Sequence, residues 1–321
     1  MSLPKLIRQV GFYLILFIIF PVLLILGLEI LTRTLFPHIN HQDTETSLFA
    51  SSGRQISFGW KPGAKGVCFG QEVEIDLLGH RRMAGPEQWE TSWLILGDSV
   101  AFGVGVRPEE TFVGLLQSAF PTIKMWNTAV VGYAIENYQE VMLDFVLNTC
   151  KVEKVLMFYC LNDVDEPIKS IVAPTGIDKI LSFLRRNSKF YMLLKGILAD
   201  RSKTYFLYDL QNYIHHNPRF NKTLHILDEI HGFLENRGIE FVIIILPYEY
   251  QLREEKEAHL KPQHLLSKHL RERNISYYDA TECIANKDYD SRQLFLHGDA
   301  MHYSKDGHRI VYNCVKEFIW K

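Results

Sequence analysis

The longest apolar stretch of the chain lies close to its first residue. Val10 to Leu28 contains nineteen residues without a charge, with Pro21 inside it. At about 1.5 Å per residue, such a helix nearly crosses a hydrocarbon layer of roughly 30 Å, and a membrane helix tolerates an internal proline. Lys5 and Arg8 precede the stretch, which favours a cytoplasmic N-terminus with the rest of the chain outside the cytoplasm.

Two other interpretations of this stretch are weaker. A signal peptide needs small residues at its cleavage site, whereas the sequence after Leu28 reads Glu-Ile-Leu-Thr-Arg-Thr-Leu-Phe. A core helix of a soluble protein is usually polar on one side, but this stretch is apolar on every face. The pattern therefore predicts an uncleaved single-pass anchor over residues 1–33, with residues 10–28 in the membrane.

Short apolar runs alternate with helical patterns after residue 90. Strands are predicted at Trp93 to Leu96, Ile123 to Asn127, Lys154 to Tyr159, Glu240 to Pro247 and Ile275 to Asp279. Helices are predicted at Glu109 to Phe120, Ile135 to Thr149, Pro262 to Glu272 and Asp306 to Ile319. Strands that are apolar along their whole length indicate an α/β three-layer sandwich, in which helices cover both faces of a mainly parallel sheet.

Two regions depart from this alternation. Residues 34–90 are polar and rich in glycine, with one alternating segment at Val73, Ile75 and Leu77, and predict a linker and a strand that leads into the domain. Within the domain at residues 91–321, the segment 165–222 has helical spacing and no strand pattern. We expect it to be a helical insertion that caps the site.

Charge and cysteine content narrow the function classes. The 321 residues carry a formal net charge of −2, and lysine and arginine are spread through the chain, so no nucleic-acid partner is expected. The five cysteines are scattered and odd in number, which is not the pattern of a disulfide framework or of a zinc site. At most two bridges can form.

A candidate nucleophile follows the first predicted strand of the sheet. Gly97-Asp98-Ser99-Val100 places a tight turn at a strand end, which would lift the Ser99 hydroxyl out of the sheet edge. Serine at such a junction is more often a helix cap, so the interpretation needs a base. Asp299 and His302 lie on a loop before the last helix, and a carboxylate three residues before an imidazole can hold the Nδ1 proton while Nε2 faces Ser99.

Donors for a developing oxyanion are predicted at the same edge. Gly132 follows the apolar stretch that ends at Val131, and Asn162 follows the strand at Lys154 to Tyr159. Together with the backbone amide of Ser99, these residues would form an oxyanion hole, in which each donor typically contributes roughly 3 kcal/mol.

The four groups resemble the serine, glycine, asparagine and histidine blocks of the SGNH or GDSL hydrolases. The longer stretch LGDSVAFGVGVRPEET, together with the preceding LLGHRR, resembles bacterial membrane-anchored members. The resemblance covers about Ile75 to Trp320. Two positions differ, since Val100 replaces the usual leucine and Cys160 replaces the usual glycine of the asparagine block. Cys160 ends an apolar strand and is expected to be structural.

The resemblance implies a flavodoxin-like fold and a serine esterase without a cofactor. Its implied substrate is an O-acyl ester on a glycan or lipid, cleaved through an acyl-Ser99 intermediate. Related anchored members include O-acetyltransferases, so transfer of the acyl group to a sugar hydroxyl is the second hypothesis. The third is a non-catalytic, membrane-tethered binding protein with the same fold.

A metal site is the remaining alternative to a serine hydrolase site, because the residue types near His302 can also bind metal ions. Histidines and aspartates crowd one stretch, namely His297, Asp299, His302, Asp306 and His308. Their spacing matches no standard zinc pattern. His308 lies at the start of the last helix and is expected to pack or cap, and we predict no metal.

Overall fold

The computed structural model describes residues 3–51, 58–85, 88–166, 175–214, 217–254, 256–285 and 289–320. Parts of the predicted linker (52–57 and 86–87) and of the predicted insertion (167–174 and 215–216) lie outside the described residues. The strands are β1 (Phe49–Ser51), β2 (Phe58–Trp60), β3 (Lys65–Cys68), β4 (Gln71–Glu74), β5 (Thr91–Leu96), β6 (Ile123–Asn127), β7 (Lys154–Tyr159), β8 (Glu240–Ile245) and β9 (Ser276–Asp279).

Helices surround these strands. They are α1 (Leu3–Leu14), α2 (Phe20–Leu35), α3 (Ser99–Phe102), α4 (Phe112–Ala119), α5 (Ile135–Asn148), α6 (Gly176–Asn187), α7 (Lys189–Leu198), α8 (Arg201–Leu210), α9 (Pro218–Glu235), α10 (Glu249–Glu254), α11 (Lys261–Glu272), α12 (Thr281–Ala285) and α13 (Lys305–Trp320). A π-helical turn, Ile15–Ile19, joins α1 to α2.

The central sheet has five strands in the order β6-β5-β7-β8-β9, and every described pairing within it is parallel. In chain order, β5 is the first strand of this sheet. The next strand, β6, lies on one side of β5, and β7 lies on its other side. The carboxyl ends of β5 and β7 therefore flank the point where the winding direction reverses, which is where open α/β sheets bind ligands.

Helices cover both faces of this sheet. Phe158 of β7 packs on Phe112 of α4, whereas the next residue, Tyr159, bonds to the hydroxyl of Tyr213 at the end of the helical segment. The Tyr213 ring packs in turn on Phe220 of α9. Neighbouring residues of a strand point to opposite faces, so α4 and α9 lie on different sides of the sheet. This arrangement confirms the predicted three-layer fold with a parallel sheet.

The predicted strands and helices after residue 90 are confirmed, with small shifts at their ends. The helix expected from Glu109 begins instead at Phe112, after a 3₁₀ turn at Pro108–Glu110. The reason is a cap, because the Thr111 hydroxyl accepts a hydrogen bond from the amide of Gly114. The strand predicted through Pro247 ends at Ile245.

Residues 34–90 pair differently from the expected linker and leading strand. β1 pairs with β2 and β3 with β4, both antiparallel, and no described residue of these hairpins joins the central sheet. The alternating segment stops at Glu74, and Leu77 is 85% exposed. The first hairpin docks on the domain, since the Trp60 indole donates to the Ala129 carbonyl and the Tyr133 hydroxyl to that of Phe58.

The N-terminal helix is attached to the helical segment at its C-terminal end. The Glu29 carboxylate accepts hydrogen bonds from the Ser188 hydroxyl and from the amides of Lys189 and Phe190, at 2.8–3.0 Å. A carboxylate at this position satisfies the first amides of α7 and interacts favourably with its helix dipole. Arg33 donates to the carbonyl of Asn187 at 2.7 Å.

One disulfide joins the last two helices. Cys283 of α12 is bonded to Cys314 of α13, which is within the limit of two bridges predicted from the sequence. Cys68 and Cys160 are buried thiols, and Cys150 is partly exposed.

A buried arginine fixes the loop that follows Ser99 and α3. The Arg81 guanidinium donates to the carbonyls of Phe102, Gly103 and Val106, and its carbon lies 4.7 Å from the centre of the Phe102 ring. Arg81 is only 3% exposed, and burial lowers the pKa of its guanidinium to about 10. Its hydrogen bonds therefore replace water around several buried carbonyls.

We predict that Arg81→Met lowers the free energy of unfolding by about 3 kcal/mol, because the substitution leaves buried carbonyls without donors. Urea unfolding followed by circular dichroism measures this change. Arg82→Met is the matched control, since Arg82 is exposed and only contacts Glu74 at the surface, and should cost about 0.5 kcal/mol. Equal effects of the two substitutions would contradict this role for Arg81.

Candidate active site

The side chains predicted to react lie at the carboxyl edge of the central sheet. Ser99 begins α3 directly after β5, and Asn162 lies in the 3₁₀ turn Leu161–Val164 after β7. Asp299 and His302 lie on the loop before α13. Because parallel strands end at the same edge, residues far apart in sequence meet there.

Ser99, His302 and Asp299 form a connected set. The Ser99 Oγ atom lies 2.7 Å from His302 Nε2, and His302 Nδ1 lies 3.0 Å from Asp299 Oδ1. The Nδ1–H vector meets the carboxylate obliquely, so the second contact is chiefly electrostatic. Asp299 Oδ1 also accepts the amides of Met301 and His302 at 3.1 Å, which fixes the carboxylate.

The two ionisable partners shift each other's pKa. Burial alone would raise the pKa of Asp299, but the imidazole and the two amides outweigh it and lower that pKa well below its usual value. Burial alone would lower the pKa of His302, yet the Asp299 carboxylate outweighs it and raises the pKa above 6.5. The Asp299 carboxylate thus stabilises the imidazolium that would form if His302 removed the Ser99 proton.

Asp98 holds the serine turn. Its Oδ1 atom accepts a hydrogen bond from the amide of Val100 at 2.8 Å and caps α3. Its Oδ2 atom lies 2.9 Å from Asn162 Nδ2 and 3.3 Å from Ser99 Oγ. Asp98 therefore joins the ends of β5 and β7 and positions the hydroxyl that faces His302.

The orientation of the Asn162 amide follows from its neighbours. The Asp98 carboxylate accepts hydrogen bonds, so it must face the amide nitrogen, and the Tyr248 hydroxyl lies 3.2 Å from the oxygen Oδ1. The nitrogen carries two hydrogens, and Asp98 takes one of them. The second is available to an oxyanion bound next to Ser99.

Gly132 lies in the turn beyond β6, beside the serine turn. The amide of Val130, two residues earlier, donates to the carbonyl of Gly97 at 3.4 Å. Gly132 has φ of +85°, a conformation that a residue with a Cβ atom rarely adopts. Within the described residues, neither the Gly132 nor the Ser99 amide donates to a protein acceptor. Both are therefore candidates for an oxyanion hole with Asn162.

Cys160, the residue that departs from the family pattern, is part of the loop that carries Asn162. Its amide donates to Asp163 Oδ2 at 2.8 Å, and its side chain is 2% exposed. Burial and the nearby Asp98 raise the pKa of the Cys160 thiol well above its usual value. The thiol stays protonated and packs as a small apolar group.

The histidines of the metal hypothesis point in different directions. His308 Nδ1 accepts the amide of Phe112 at 3.2 Å, so His308 packs in the core as predicted. His297 Nε2 faces the carbonyl of Leu193 at 3.4 Å. Among the described residues, no three histidine, cysteine or acidic side chains form a group that could hold a metal ion.

Several neighbours of the site are not predicted from the sequence. The Phe69 ring lies 5.1 Å from that of His302, at the tip of the β3–β4 hairpin, where Phe69 itself has φ of +51°. The Gln42 amide donates to Asp299 Oδ2 at 3.4 Å. The Tyr248 hydroxyl contacts Asp209 Oδ2 at 2.6 Å as well as Asn162. Only Phe69 among these neighbours has a local sequence signal, because a Phe-Gly pair between two alternating segments is compatible with a hairpin turn.

Comparisons with known proteins find similarity in fold. No protein-family model and no curated protein matches the chain. A lipolytic protein of the G-D-S-L family from Veillonella parvula matches over 72% of this chain and 98% of its own, with 11% identity and a TM-score of 0.43. A lipolytic protein of the same family from Desulfitobacterium hafniense, described as putative, matches over 71% of this chain and 99% of its own, with 14% identity and a TM-score of 0.43. A catalytic mutant of the acetylxylan esterase Axe2 from Geobacillus stearothermophilus matches over 72% of this chain and 94% of its own, with 14% identity and a TM-score of 0.44.

Tyr248 has one hydroxyl hydrogen for two acceptors, Asn162 and Asp209. Burial raises the pKa of Asp209 to about 7. When Asp209 is protonated, it can donate to Tyr248, and Tyr248 can then donate to Asn162. The pair would thus keep the Asn162 amide in the orientation that leaves one hydrogen for the oxyanion.

We predict that Tyr248→Phe lowers the rate constant for labelling of Ser99 by a fluorophosphonate about tenfold, because the labelling reaction also develops charge on an oxygen in this hole. Tyr250→Phe is the matched control, since the Tyr250 ring packs on Phe206 and His259, whereas the described hydrogen bonds to Asn162 and Asp209 come from Tyr248. An unchanged rate in Tyr248→Phe would exclude this positioning role.

We predict that the same labelling rate rises with pH, with a midpoint above 6.5, because only neutral His302 can accept the Ser99 proton. In Asp299→Asn, the charge that raises the pKa of His302 is lost, so burial dominates and the midpoint moves to lower pH while the plateau falls. Labelling at a series of pH values measures both changes. A midpoint that stays in place in Asp299→Asn would contradict the assignment.

Proposed function

We propose that the protein is a membrane-anchored SGNH-type serine esterase that cleaves an O-acyl ester. The observation that carries this proposal is the 2.7 Å contact between Ser99 Oγ and His302 Nε2, with Asp299 behind the ring. A hydroxyl gains nucleophilicity when a positioned imidazole takes its proton, and a carboxylate stabilises the resulting imidazolium. The amides near Ser99 and the spare Asn162 hydrogen complete the constellation.

The reaction has two halves. Ser99 Oγ attacks the ester carbonyl while His302 takes its proton, and the tetrahedral oxyanion is bound by the amides of Ser99 and Gly132 and by Asn162. The C–O bond to the alcohol then breaks, and His302 gives its proton to the leaving oxygen. In the second half, water attacks the acyl-Ser99 carbonyl while His302 takes one of its protons. The bond between the acyl carbon and Ser99 Oγ then breaks, His302 returns the proton to Oγ, and the carboxylic acid leaves.

Acyl transfer is the second candidate function. It differs only in the second half, where an alcohol replaces water as the acceptor. A cavity of about 400 Å³ borders His302, which leaves space for an alcohol beside the base. The non-catalytic hypothesis rested on Cys160, but the loop at Cys160 holds Asn162 in hydrogen-bonding contact with Asp98.

The anchor part of the proposal has three supports. The helix at Gln9–Leu35 is 27 residues long, apolar enough to cross a membrane, and its most apolar part is not buried by the rest of the chain. Next to it, α6 exposes Ile177, Ile180 and Phe183, at helical spacing, to between 60% and 74%. The disulfide Cys283–Cys314 favours an oxidising compartment, which agrees with an extracytoplasmic domain.

The experiment that tests the function is release of p-nitrophenol from p-nitrophenyl acetate by the full chain in detergent. We predict that Ser99→Ala and His302→Ala each lower kcat/KM by about 10³-fold or more, since triad members act as a unit. Loss of Ser99 should also abolish labelling by the fluorophosphonate.

The matched control is Ser118→Ala, which removes a surface hydroxyl bonded only to its own helix. This substitution should leave both the release of p-nitrophenol and the labelling by the fluorophosphonate unchanged. Labelling without ester hydrolysis would favour the transferase, to be tested by adding alcohol acceptors. Neither labelling nor hydrolysis, in a chain that unfolds cooperatively, would overturn both catalytic proposals.

A further inference from the structure

The cavity beside His302 is lined by residues from five parts of the chain, one of which lies within residues 42–49. His302 and Val131, the residue before Gly132, form its catalytic side. Phe69 comes from the β3–β4 hairpin. The opposite side is formed by the helices α6, α7 and α8. The cavity therefore lies between the candidate catalytic groups and the helices α6, α7 and α8.

Three cationic side chains from these helices border the cavity. They are Arg185 of α6, Lys195 of α7 and Arg201 of α8. Arg201 Nη1 donates to Gln42 Oε1 at 2.6 Å, and Lys195 Nζ lies 3.4 Å from the same oxygen. Within the described residues, none of the three forms an ion pair with a carboxylate within 4.0 Å.

The carboxylates that border the cavity are engaged elsewhere. Asp43 Oδ2 accepts from Ser182 Oγ at 2.7 Å and pairs with Arg186 at 2.9 Å. Asp299 is held by His302. The cavity thus carries an excess of positive charge. Consistent with this, burial together with Arg201 and Arg185 lowers the pKa of Lys195 to about 8.

The position of His302 shows which part of a substrate this charge would meet. In the esterase mechanism, the imidazole that takes the serine proton gives it to the leaving alcohol, so the alcohol part lies beside the imidazole. The cavity borders His302, and it is therefore the place for the alcohol part in hydrolysis and for the acceptor in transfer. Oxyanions such as carboxylate and phosphate are the ligands that arginine and lysine bind best.

We propose that the substrate's alcohol part carries a carboxylate or phosphate group, which Arg185, Lys195 and Arg201 bind in the cavity beside His302. This inference rests on the proposed esterase function. It names an acidic substrate class and assigns the helical segment a role in selecting it. Gln42, which contacts Arg201, Lys195 and Asp299, connects this anion site to the catalytic pair.

The test compares four acetate esters with the full chain in detergent at low salt. Phenyl acetate and methyl 4-acetoxybenzoate are neutral, whereas 4-acetoxybenzoate carries a carboxylate and 4-acetoxyphenyl phosphate carries a phosphate. Each rate is divided by the rate of hydrolysis by hydroxide, which removes differences in leaving-group reactivity. We expect kcat/KM for an anionic ester to exceed that of the methyl ester at least about tenfold, as for a charge-assisted hydrogen bond.

Charge-removing substitutions provide the second readout. Arg185→Gln and Lys195→Gln should each lower kcat/KM for the anionic esters about tenfold relative to kcat/KM for phenyl acetate. The matched control is Lys179→Gln, because Lys179 is exposed on α6 and does not border the cavity. Added salt at about 0.5 M screens charges and should lower the ratio of kcat/KM for the anionic esters to kcat/KM for the methyl ester.

The outcomes separate this inference from the function on which it rests. Preference for one anionic ester supports the proposal and identifies the anion as carboxylate or phosphate. Hydrolysis of phenyl acetate that depends on Ser99, with no preference for anionic esters or with equal loss for all esters in Arg185→Gln, overturns the inference alone. If no ester is cleaved, calorimetric binding of 4-hydroxybenzoate and 4-hydroxyphenyl phosphate against methyl 4-hydroxybenzoate still decides whether the cavity binds anions.

Discussion

The arrangement of the site depends on the position of one buried carboxylate, that of Asp98. Its two oxygens serve different strands, because Oδ1 caps α3 after β5 while Oδ2 takes a hydrogen of Asn162 after β7. The same Oδ2 lies 3.3 Å from Ser99 Oγ and so offers the hydroxyl an alternative to His302. A shift of one strand end relative to the other would break these contacts together. The precision of the site therefore comes from the register of the parallel sheet.

Negative and positive charges are separated across the site. Two acidic groups lie at the sheet edge: Asp98, which accepts hydrogen bonds from neutral donors, and Asp299, which lies beside the His302 ring. The helices on the other side of the cavity contribute cations. In the proposed mechanism, such a separation would stabilise the imidazolium from one side and leave the other side of the cavity electropositive.

The sequence predicted the central strands and the common position of the candidate site residues because both depend on local patterns. Apolar runs such as β7 and β8 are buried on both faces, and a serine, asparagine or histidine just beyond strand ends must lie at one edge. Phe69, Gln42 and Tyr248 reach the site through long-range packing, which leaves no periodic signal near them. The hairpins in residues 34–90 escaped prediction for the same reason, since their apolar residues alternate over only three or four positions.

Helix α7 links the proposed anchor to the catalytic loop by direct contacts at both ends. Its first amides bond to Glu29 of α2, and near its other end Gly196 lies against Gly298, where an added Cβ atom at Gly298 would come within 2.6 Å of the Gly196 Cα. Gly298 immediately precedes Asp299. Ten residues of helix span about 15 Å, so the Asp299 carboxylate is held at a short distance from the C-terminal end of the apolar N-terminal helix. If the proposed anchor lies in a membrane, this geometry places the candidate site near the bilayer surface, where it would meet esters held close to that surface.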